Sequence, residues 1–354
     1  MRILLVRLRE IGDVVFTTPA VRALRLRFPD AHLSYLVEPA AAPIVARNPH
    51  IDEVIVAPRN GVFAELALIR RLRAGRLDLA IDFHGGPRAS TLTWLSGAKV
   101  RIGYTIAGRS WMYTRRVERP RELRARHSVE NQWDLLEPLE IARSDPAASP
   151  VEMPVDPDAA GAVAARLARA GVTPADRVIV VHVSAGNPFR RWPSASFSRV
   201  ATELAEADDR HRVVVTSGPS DCDARERVIA EARAALPDAH RQRVLASGEF
   251  SLVELRALVD RAALYVGGDS GPLHIAATSH VPIVALYGPT LPARSAPWRA
   301  TTWPAAAVEV SGLPCRPCDQ RVCVPGDFRC LTRIQPEQVV DAALGIVARS
   351  NVKS

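Results

Sequence analysis

Short apolar runs alternate with helix-like segments along nearly the whole chain, and this alternation limits the possible folds more than any other feature. In the first half the runs are RILLVRL, LSYLVE, EVIVAP and LDLAIDFH, each followed by a helix-like segment. The second half repeats the alternation from RVIVVHVS through RVVVTSG, RVLAS, LYVGG and PIVALYG. Strands that alternate with helices predict a parallel sheet with helices on both faces. We therefore expect an α/β protein with one open parallel sheet in each half.

A proline-rich segment separates the two halves, and 354 residues are enough for two domains. We expect a first domain at 1–145, a linker at 146–158, a second domain at 159–334 and a closing helix at 335–354. Open parallel sheets bind ligands beyond the carboxyl ends of their strands. With two such sheets, the cleft between the domains is the expected site.

The formal net charge of +8 comes mostly from arginine, which is dense in residues 101–126. The run WMY at 111–113 suggests a surface able to lie on lipid headgroups, although a solvated basic face fits the same charge. No nucleic-acid-binding signature accompanies the arginines, so we expect no nucleic-acid partner. The first apolar run is interrupted by Arg7 and Arg9, and no apolar stretch reaches the length of a membrane span. We expect a cytoplasmic protein in peripheral contact with the inner membrane surface.

The segment LYVGGDSGPLHIAATSHVPIVALYGPT at 264–290 predicts a buried strand, a small-residue turn, a helix and a second buried strand. It places Asp269, Ser270, Gly271 and His274 where the first strand ends and the helix begins. Free backbone N–H groups and the helix dipole at such a point stabilise an anion by about 0.3 to 1 kcal/mol. An ordinary helix cap formed by Asp or Ser fits the same residues.

Two further loops follow strands of the second half. HVSAGNPFRRWP contains arginine, which can bind phosphate through two parallel hydrogen bonds, and TSGPSDCD contains small residues that allow a nucleotide to approach. The candidate residues in these loops are Ser184, Asn187, Arg190, Gly218 and Ser220. A surface arginine pair is the alternative for the first loop. Three such loops in one domain predict a nucleotide diphosphate donor, and the lack of G-x-G-x-x-G disfavours a dinucleotide-dependent dehydrogenase.

The residues quoted above resemble the ADP-heptose:lipopolysaccharide heptosyltransferases of glycosyltransferase family 9, and among them the second-heptose branch. The most specific similarity is GGDSGPLHIAAT followed by VPIVALYGPT, and the similarity extends over nearly the whole chain. The resemblance implies the GT-B fold, in which two Rossmann-like domains face each other across a cleft. It also implies inverting transfer that uses no cofactor and no metal ion.

The same resemblance implies roles for the residues of the 264–290 segment. Asp269 would contact the donor sugar, with His274 beside it. Ser270 and Gly271 would bind the diphosphate.

Outside that segment, the resemblance implies roles for both halves. Arg190 takes the place of the lysine in the family's Lys-x-Trp-Pro pattern, which keeps the charge but changes its geometry. Ser220 or Asp221 would hold the ribose of the nucleotide. Asp13, which follows Gly12 after the first strand, would be the catalytic base, although a carboxylate at this point can equally cap the helix.

The implied reaction moves a heptose, or a related sugar, from a nucleotide-sugar donor such as ADP-heptose to the lipopolysaccharide inner core or a similar lipid-linked anionic saccharide. One alternative is a glycosyltransferase with another nucleotide-sugar donor, acting on capsule or glycolipid. Another is a nucleotide-sugar epimerase, which would turn over the donor without an acceptor. Candidate acceptor contacts are Phe83, His84, Arg88 and Arg115.

The segment CRPCDQRVCVPGDFRC holds four of the five cysteines, at Cys315, Cys318, Cys323 and Cys330. Four thiolates can bind zinc, but the spacing lacks two pairs separated by a longer stretch. Reduced thiols, a zinc site and a disulfide are the alternatives, and a reducing cytosol disfavours the disulfide. A similar loop in the resembled family lies outside its catalysis, so we predict no catalytic metal here.

Overall fold

The computed structural model describes residues 1–119 and 126–351. The chain divides into two compact units, one formed by Met1–Pro154 with Trp298–Ala300 and the other by Val155–Pro297 with the residues from Thr301 onward. Each unit contains a six-stranded sheet in which all pairings are parallel. The predicted α/β class is confirmed.

The strands of the first unit are β1 (Arg2–Val6), β2 (His32–Val37), β3 (Glu53–Val56), β4 (Leu79–Asp82), β5 (Val100–Tyr104) and β6 (Arg115–Val117). Its described helices are α1 (Ile11–Arg27), α2 (Ala42–Val45), α3 (Val62–Ala74), α4 (Pro87–Leu95) and α5 (Ser128–Trp133). The strand order is β3-β2-β1-β4-β5-β6. This order reverses between β1 and β4, which makes the carboxyl ends of these two strands the switch point of the sheet.

The strands of the second unit are β7 (Arg177–His182), β8 (His211–Thr216), β9 (Val244–Leu245), β10 (Leu264–Gly268), β11 (Ile283–Tyr287) and β12 (Ala305–Glu309). Its described helices are α6 (Pro157–Arg169), α7 (Ser194–Glu206), α8 (Cys222–Ala235), α9 (Leu252–Asp260), α10 (Gly271–Ala276), α11 (Pro292–Ser295), α12 (Arg329–Thr332) and α13 (Pro336–Asn351). The strand order β12-β11-β10-β7-β8-β9 has the same connectivity as the first sheet. Its switch point lies between β7 and β10.

The central strands are apolar on both faces because each is covered on both sides. In β1, the four residues of Ile3–Val6 have no exposed surface, and every residue of β10 is buried. Continuous apolar runs of this kind are typical of buried parallel strands. Close packing of these strands holds their carboxyl ends in place, so the loops that follow them start from rigid positions.

Two boundaries of the structure differ from the predicted ones. Helix α6 begins at Pro157, inside the predicted linker, because the Asp156 carboxylate accepts the N–H groups of the first turn. Residues 298–300 belong to the first unit, since the Trp298 indole donates to the carbonyl of Ser149 at 2.9 Å. Within the described ranges, no helix is long and apolar enough to cross a bilayer.

Candidate active site

The candidate donor site of the second unit lies at the switch point between β7 and β10. Arg190 ends a short 3-10 turn after β7, and Asp269 follows β10 directly. The Arg190 Nη1 atom is 3.2 Å from Asp269 Oδ2 and 3.2 Å from the Asp269 carbonyl oxygen. Asp269 is only 2% exposed, whereas the Arg190 side chain is 28% exposed. A buried carboxylate needs such a partner, because an unpaired charge out of water is unstable.

Two further side chains surround the Asp269 carboxylate. The Thr290 hydroxyl, in the loop after β11, donates a hydrogen bond to Oδ2. His274 Nε2 lies 3.6 Å from Oδ1, and Oδ1 accepts no hydrogen bond from the described residues. Asp269 is thus held through one oxygen while the other retains hydrogen-bonding capacity.

Ser270 occupies the position before α10 but does not cap it through its side chain. No hydrogen bond links the Ser270 hydroxyl to the helix, and its Oγ atom finds no partner in the described part of the chain. The ordinary cap interpretation is therefore wrong for Ser270. Helix α10, which begins at Gly271, has only six residues, so its dipole contributes less than a long helix would.

The loops after β7 and β8 are tied together by Ser184. Its Oγ atom accepts the Gly218 backbone N–H at 2.9 Å and lies 3.2 Å from His182 Nε2. The other ring nitrogen of His182 lies 3.0 Å from the Thr216 hydroxyl. Burial lowers the pKa of His182 to about 4, so this ring is neutral at pH 7. The hydrogen bond between Ser184 and Gly218 thus links the loop after β7 to the loop after β8.

The third predicted group, Ser220 and Asp221, is already engaged by protein. The Ser220 hydroxyl donates to Asp221 Oδ2 at 3.1 Å, and Asp221 Oδ1 is 3.0 Å from Arg191 Nη2. Arg191 in turn donates through Nε to the Ala185 carbonyl at 3.0 Å. These bonds fix the rim of the loop after β8.

Asp13 lies at the switch point of the first unit. It is the third residue of α1, and Glu10 holds the cap position without a side-chain bond to the helix. The Asp13 carboxylate instead accepts a hydrogen bond from Arg7 Nη2, and Arg7 Nη1 donates to the Phe83 carbonyl at 2.7 Å. The cap interpretation of Asp13 is therefore wrong. Its side chain is 36% exposed, so the carboxylate is accessible.

His84 follows β4 beside this pair. Burial, together with the nearby Arg7 and Arg9 guanidinium groups, lowers the pKa of His84 to about 4, and Asp13 opposes this shift. The ring is therefore neutral at pH 7 and can donate or accept a hydrogen bond. This part of the first unit thus combines a fixed carboxylate with a neutral histidine.

A sequence profile for glycosyltransferase family 9 (heptosyltransferase) matches residues 65–327. The chain belongs to this family. The resemblance found in the sequence is confirmed.

Individual members of family 9 agree with this assignment. Lipopolysaccharide heptosyltransferase 3 of Escherichia coli is 29% identical over 287 residues, which cover 79% of this chain and 81% of that protein. The crystal structure of a family 9 glycosyltransferase from Veillonella parvula is 25% identical, with a TM-score of 0.80 over 99% of this chain and 97% of that one. The structure of E. coli ADP-heptose lipopolysaccharide heptosyltransferase II is 20% identical, with a TM-score of 0.76 over 99% and 100%. The predicted GT-B class is confirmed.

In this family 9 chain, the four cysteines Cys315, Cys318, Cys323 and Cys330 line a single cavity of about 460 Å³. All of them are free thiols, so the disulfide alternative is not what the structure contains. Burial raises the pKa of the Cys330 thiol. In residues 1–119 and 126–351, no three His, Cys, Asp or Glu side chains are grouped as metal ligands. The described residues therefore contain no assembled set of zinc ligands.

The residues predicted to contact the acceptor differ in how far their polar groups already bond to other protein groups. Arg88 donates to Glu38 at 3.1 Å and to Glu65 at 2.7 Å, so its guanidinium is already occupied by protein carboxylates. Phe83 contributes its carbonyl to Arg7, and Arg115 donates to the Pro138 carbonyl at 2.8 Å.

The basic segment at 101–126 does not form a uniform lipid-facing surface. Tyr113 is buried, and its hydroxyl donates to Asp82 Oδ2 at 2.6 Å. A side chain at Gly103 would lie 2.4 Å from the Tyr113 ring, so glycine there lets the ring reach Asp82. Trp111 is exposed and contacts Trp94, with ring centroids 5.1 Å apart. Part of the segment, at 120–125, lies outside the described residues.

Three residues that contact the predicted ones were missed as site residues. Thr290 belongs to the Gly-Pro-Thr at the end of the 264–290 segment, so its position after a buried strand was available as a signal. Arg7 directly follows β1, where a charged side chain in an apolar run is also a signal. Gln320, which bonds to Asn187 and Arg190, has no sequence signal, because 130 or more residues separate it from both partners.

Proposed function

We propose that this glycosyltransferase moves a heptose from ADP-heptose to the lipopolysaccharide inner core or a similar lipid-linked anionic saccharide. The observation that carries the proposal is the buried Asp269, held by Arg190 and Thr290 at the switch point of the second unit. Family membership supports it, because relatives are named lipopolysaccharide heptosyltransferase. In this proposal the second unit binds the donor and the first unit binds the acceptor.

The proposed reaction is a single displacement at the anomeric carbon. An acceptor hydroxyl oxygen forms the new bond to that carbon while the bond from the carbon to the diphosphate oxygen breaks, and ADP leaves with the electron pair. The acceptor proton passes to Asp13, acting as general base. Attack and departure on opposite faces invert the configuration at the carbon.

Charge on the departing diphosphate would be neutralised by Arg190. A guanidinium can donate to phosphate oxygens in a fixed geometry, and a preformed positive charge needs no rearrangement as negative charge develops. Ser270 and the backbone of Gly271 would donate further hydrogen bonds. In this proposal a metal ion is not required, because protein groups supply the positive potential at the leaving group.

Asp269 would act on the sugar through Oδ1, which lacks a hydrogen bond from the described residues. It would accept a sugar hydroxyl or stabilise positive charge on the ring, with His274 completing this side of the pocket. Ser220 or Asp221 would hold the ribose. Ser184 and Gly218 would maintain the backbone against which the nucleotide lies.

Contact with the cytoplasmic face of the inner membrane is part of the proposal, because the acceptor is lipid-linked. The surface that supports it is the first turn of α3, where Val62, Phe63 and Leu66 are exposed and Phe63 reaches 87%. Residues 59–76 also contain five arginines and one glutamate. Apolar side chains among arginines suit an anionic lipid surface.

Mass spectrometry of the products tests the proposed activity. The purified protein should transfer a heptosyl group from ADP-heptose to a heptose-deficient lipopolysaccharide core, and UDP-, GDP- and dTDP-sugars should give no product. Turnover with one of these other donors and not with ADP-heptose would contradict the heptosyl assignment. Donor conversion without any acceptor would instead support an epimerase, and nuclear magnetic resonance of the product's anomeric proton checks inversion.

A further inference from the structure

The loop that carries the four cysteines contacts the candidate donor site through one side chain. Gln320 Oε1 accepts a hydrogen bond from Arg190 Nε at 2.7 Å and another from Asn187 Nδ2 at 2.9 Å. Asn187 also caps the 3-10 turn that ends at Arg190, through Oδ1 and the Phe189 N–H at 3.0 Å. Gln320 therefore contacts both the arginine and the residue that begins its turn.

These bonds leave one part of the Arg190 guanidinium available. Nε is occupied by Gln320, and Nη1 by Asp269. No hydrogen bond from Nη2 is found in the described part of the protein, and the side chain is partly exposed. Two anchors at different nitrogens of a planar group fix the direction in which the remaining donors point. Lysine at this place would have no Nε–H donor for Gln320, so this anchoring is specific to arginine.

The loop itself is fixed to the segment after β11, whose Thr290 holds the Asp269 carboxylate. The Cys318 N–H donates to the Pro289 carbonyl at 3.2 Å, and Arg316 Nη2 donates to the Thr290 carbonyl at 2.8 Å. Gln320 has φ +60°, a left-handed conformation that is uncommon for residues other than glycine and asparagine. Strained conformations persist where the surroundings determine them and are frequent at functional sites.

We infer that Gln320 is a positioning residue of the donor site, which orients Arg190 so that Nη2 faces the donor diphosphate. The inference rests on the proposed function, and it gives the cysteine loop a structural part in donor binding. Arg190 would remain charged without Gln320, but its guanidinium would be free to rotate about its long side chain. Binding of the diphosphate would then have to order that side chain.

A double-mutant cycle with ADP as the probe tests this inference. Isothermal titration calorimetry should show that Gln320→Ala raises the Kd for ADP about tenfold, which corresponds to about 1.4 kcal/mol. In the Arg190→Ala background the same change should alter the Kd less than about twofold, because the group it positions is gone. An equal effect in both backgrounds, or none in the wild-type background, would overturn the inference.

Further variants separate positioning from general damage to the loop. Gln320→Asn keeps the amide and tolerates the left-handed backbone, but its side chain is one methylene shorter. It should therefore weaken ADP binding as Gln320→Ala does. Wild-type affinity in this variant would contradict the inference. Val324→Ala, at an exposed position of the same loop, is the control and should bind ADP normally. With active protein, Gln320→Ala should raise the KM for the donor and leave the KM for the acceptor unchanged. If Arg190→Ala alone leaves the affinity for ADP intact, Arg190 does not bind the donor. That result would contradict the proposed donor site itself, and it can be told apart from a failure of Gln320 to position Arg190.

Discussion

The Asp269 site and the Asp13 site lie at the switch points of two sheets with the same connectivity, but their carboxylates are held differently. Asp269 is buried and surrounded by Arg190 after β7, Thr290 after β11 and His274 in α10. Asp13 is partly exposed, and its one recorded hydrogen bond in the described residues comes from Arg7. A carboxylate that binds and orients a ligand benefits from rigid surroundings, whereas one that takes a proton from an acceptor must remain accessible to it.

The prediction with the largest expected effect tests whether the proposed base, Asp13, acts separately from the proposed donor-binding residue, Asp269. Asp13→Asn keeps the size of the side chain and removes its basicity, so kcat should fall by about 10² to 10⁴. The Kd for ADP should stay within about twofold, because the proposed donor-binding groups belong to the second unit. Steady-state kinetics and calorimetry on the same preparation measure both quantities. Near-wild-type kcat would show that Asp13 is not the base, and weakened ADP binding would show that the two roles are not separate.

A somewhat smaller effect should follow from removing Arg7, which holds the Asp13 carboxylate. Arg7→Met leaves the carboxylate without its hydrogen bond, and misplacement of a catalytic group by about 1 Å can cost roughly 10²-fold in rate. We expect kcat to fall by that factor while ADP affinity is kept. Arg7→Lys is the matched control, because it keeps the charge but not the two-point contact with Asp13 and the Phe83 carbonyl, and it should be intermediate. Full activity in Arg7→Met would mean that Asp13 needs no support.

The two units also differ in how much of each site could be predicted from sequence. The alternating apolar runs predict both sheets, because buried parallel strands leave a strong local pattern. The Asp269 site is largely predictable, since its residues follow strands within short motifs such as 264–290. The pairing of Asp13 with Arg7 was not predicted, because it depends on α1 starting at Ile11 and helix starts are poorly defined by sequence. The ion pairs of Arg88 could not be predicted, because its carboxylate partners, Glu38 and Glu65, are brought to it only by folding.

A third prediction concerns the neutral histidines, one in each unit. The folded-state pKa of His182, about 4, is below the unfolded value of about 6.5, so the unfolded chain binds more protons between these values. Stability should therefore be complete above about pH 6.5 and fall as the pH drops toward 4. Between pH 7 and pH 5 the loss should be on the order of 1 to 2 kcal/mol.

Urea unfolding at pH 7 and pH 5 measures this loss, and His182→Asn should reduce the pH dependence. His84 in the first unit has a similarly lowered pKa, about 4, but its ring is less buried, so His84→Asn should reduce the pH dependence less. An unchanged pH dependence in His182→Asn would show that protonation of His182 does not cause the loss of stability at low pH. A larger effect at His84 than at His182 would contradict the order expected from the burial of the two rings.

The smallest expected effect concerns the surface on which the first unit would meet lipid. Phe63→Ser removes an exposed ring from the first turn of α3, and burying such a side chain contributes about 1.5 to 3 kcal/mol when it is complete. Insertion at a headgroup surface is partial, so binding to vesicles that contain phosphatidylglycerol should weaken about tenfold or less. Val324→Ser, at a residue 89% exposed in the second unit, is the matched control and should bind vesicles normally.

Cosedimentation with phosphatidylglycerol and with phosphatidylcholine vesicles separates the apolar contribution from that of the arginines, because the second lipid carries no net charge. If Val324→Ser weakens binding and Phe63→Ser does not, the lipid contact belongs to the second unit, and acceptor and donor roles can no longer be assigned to the units by their surfaces.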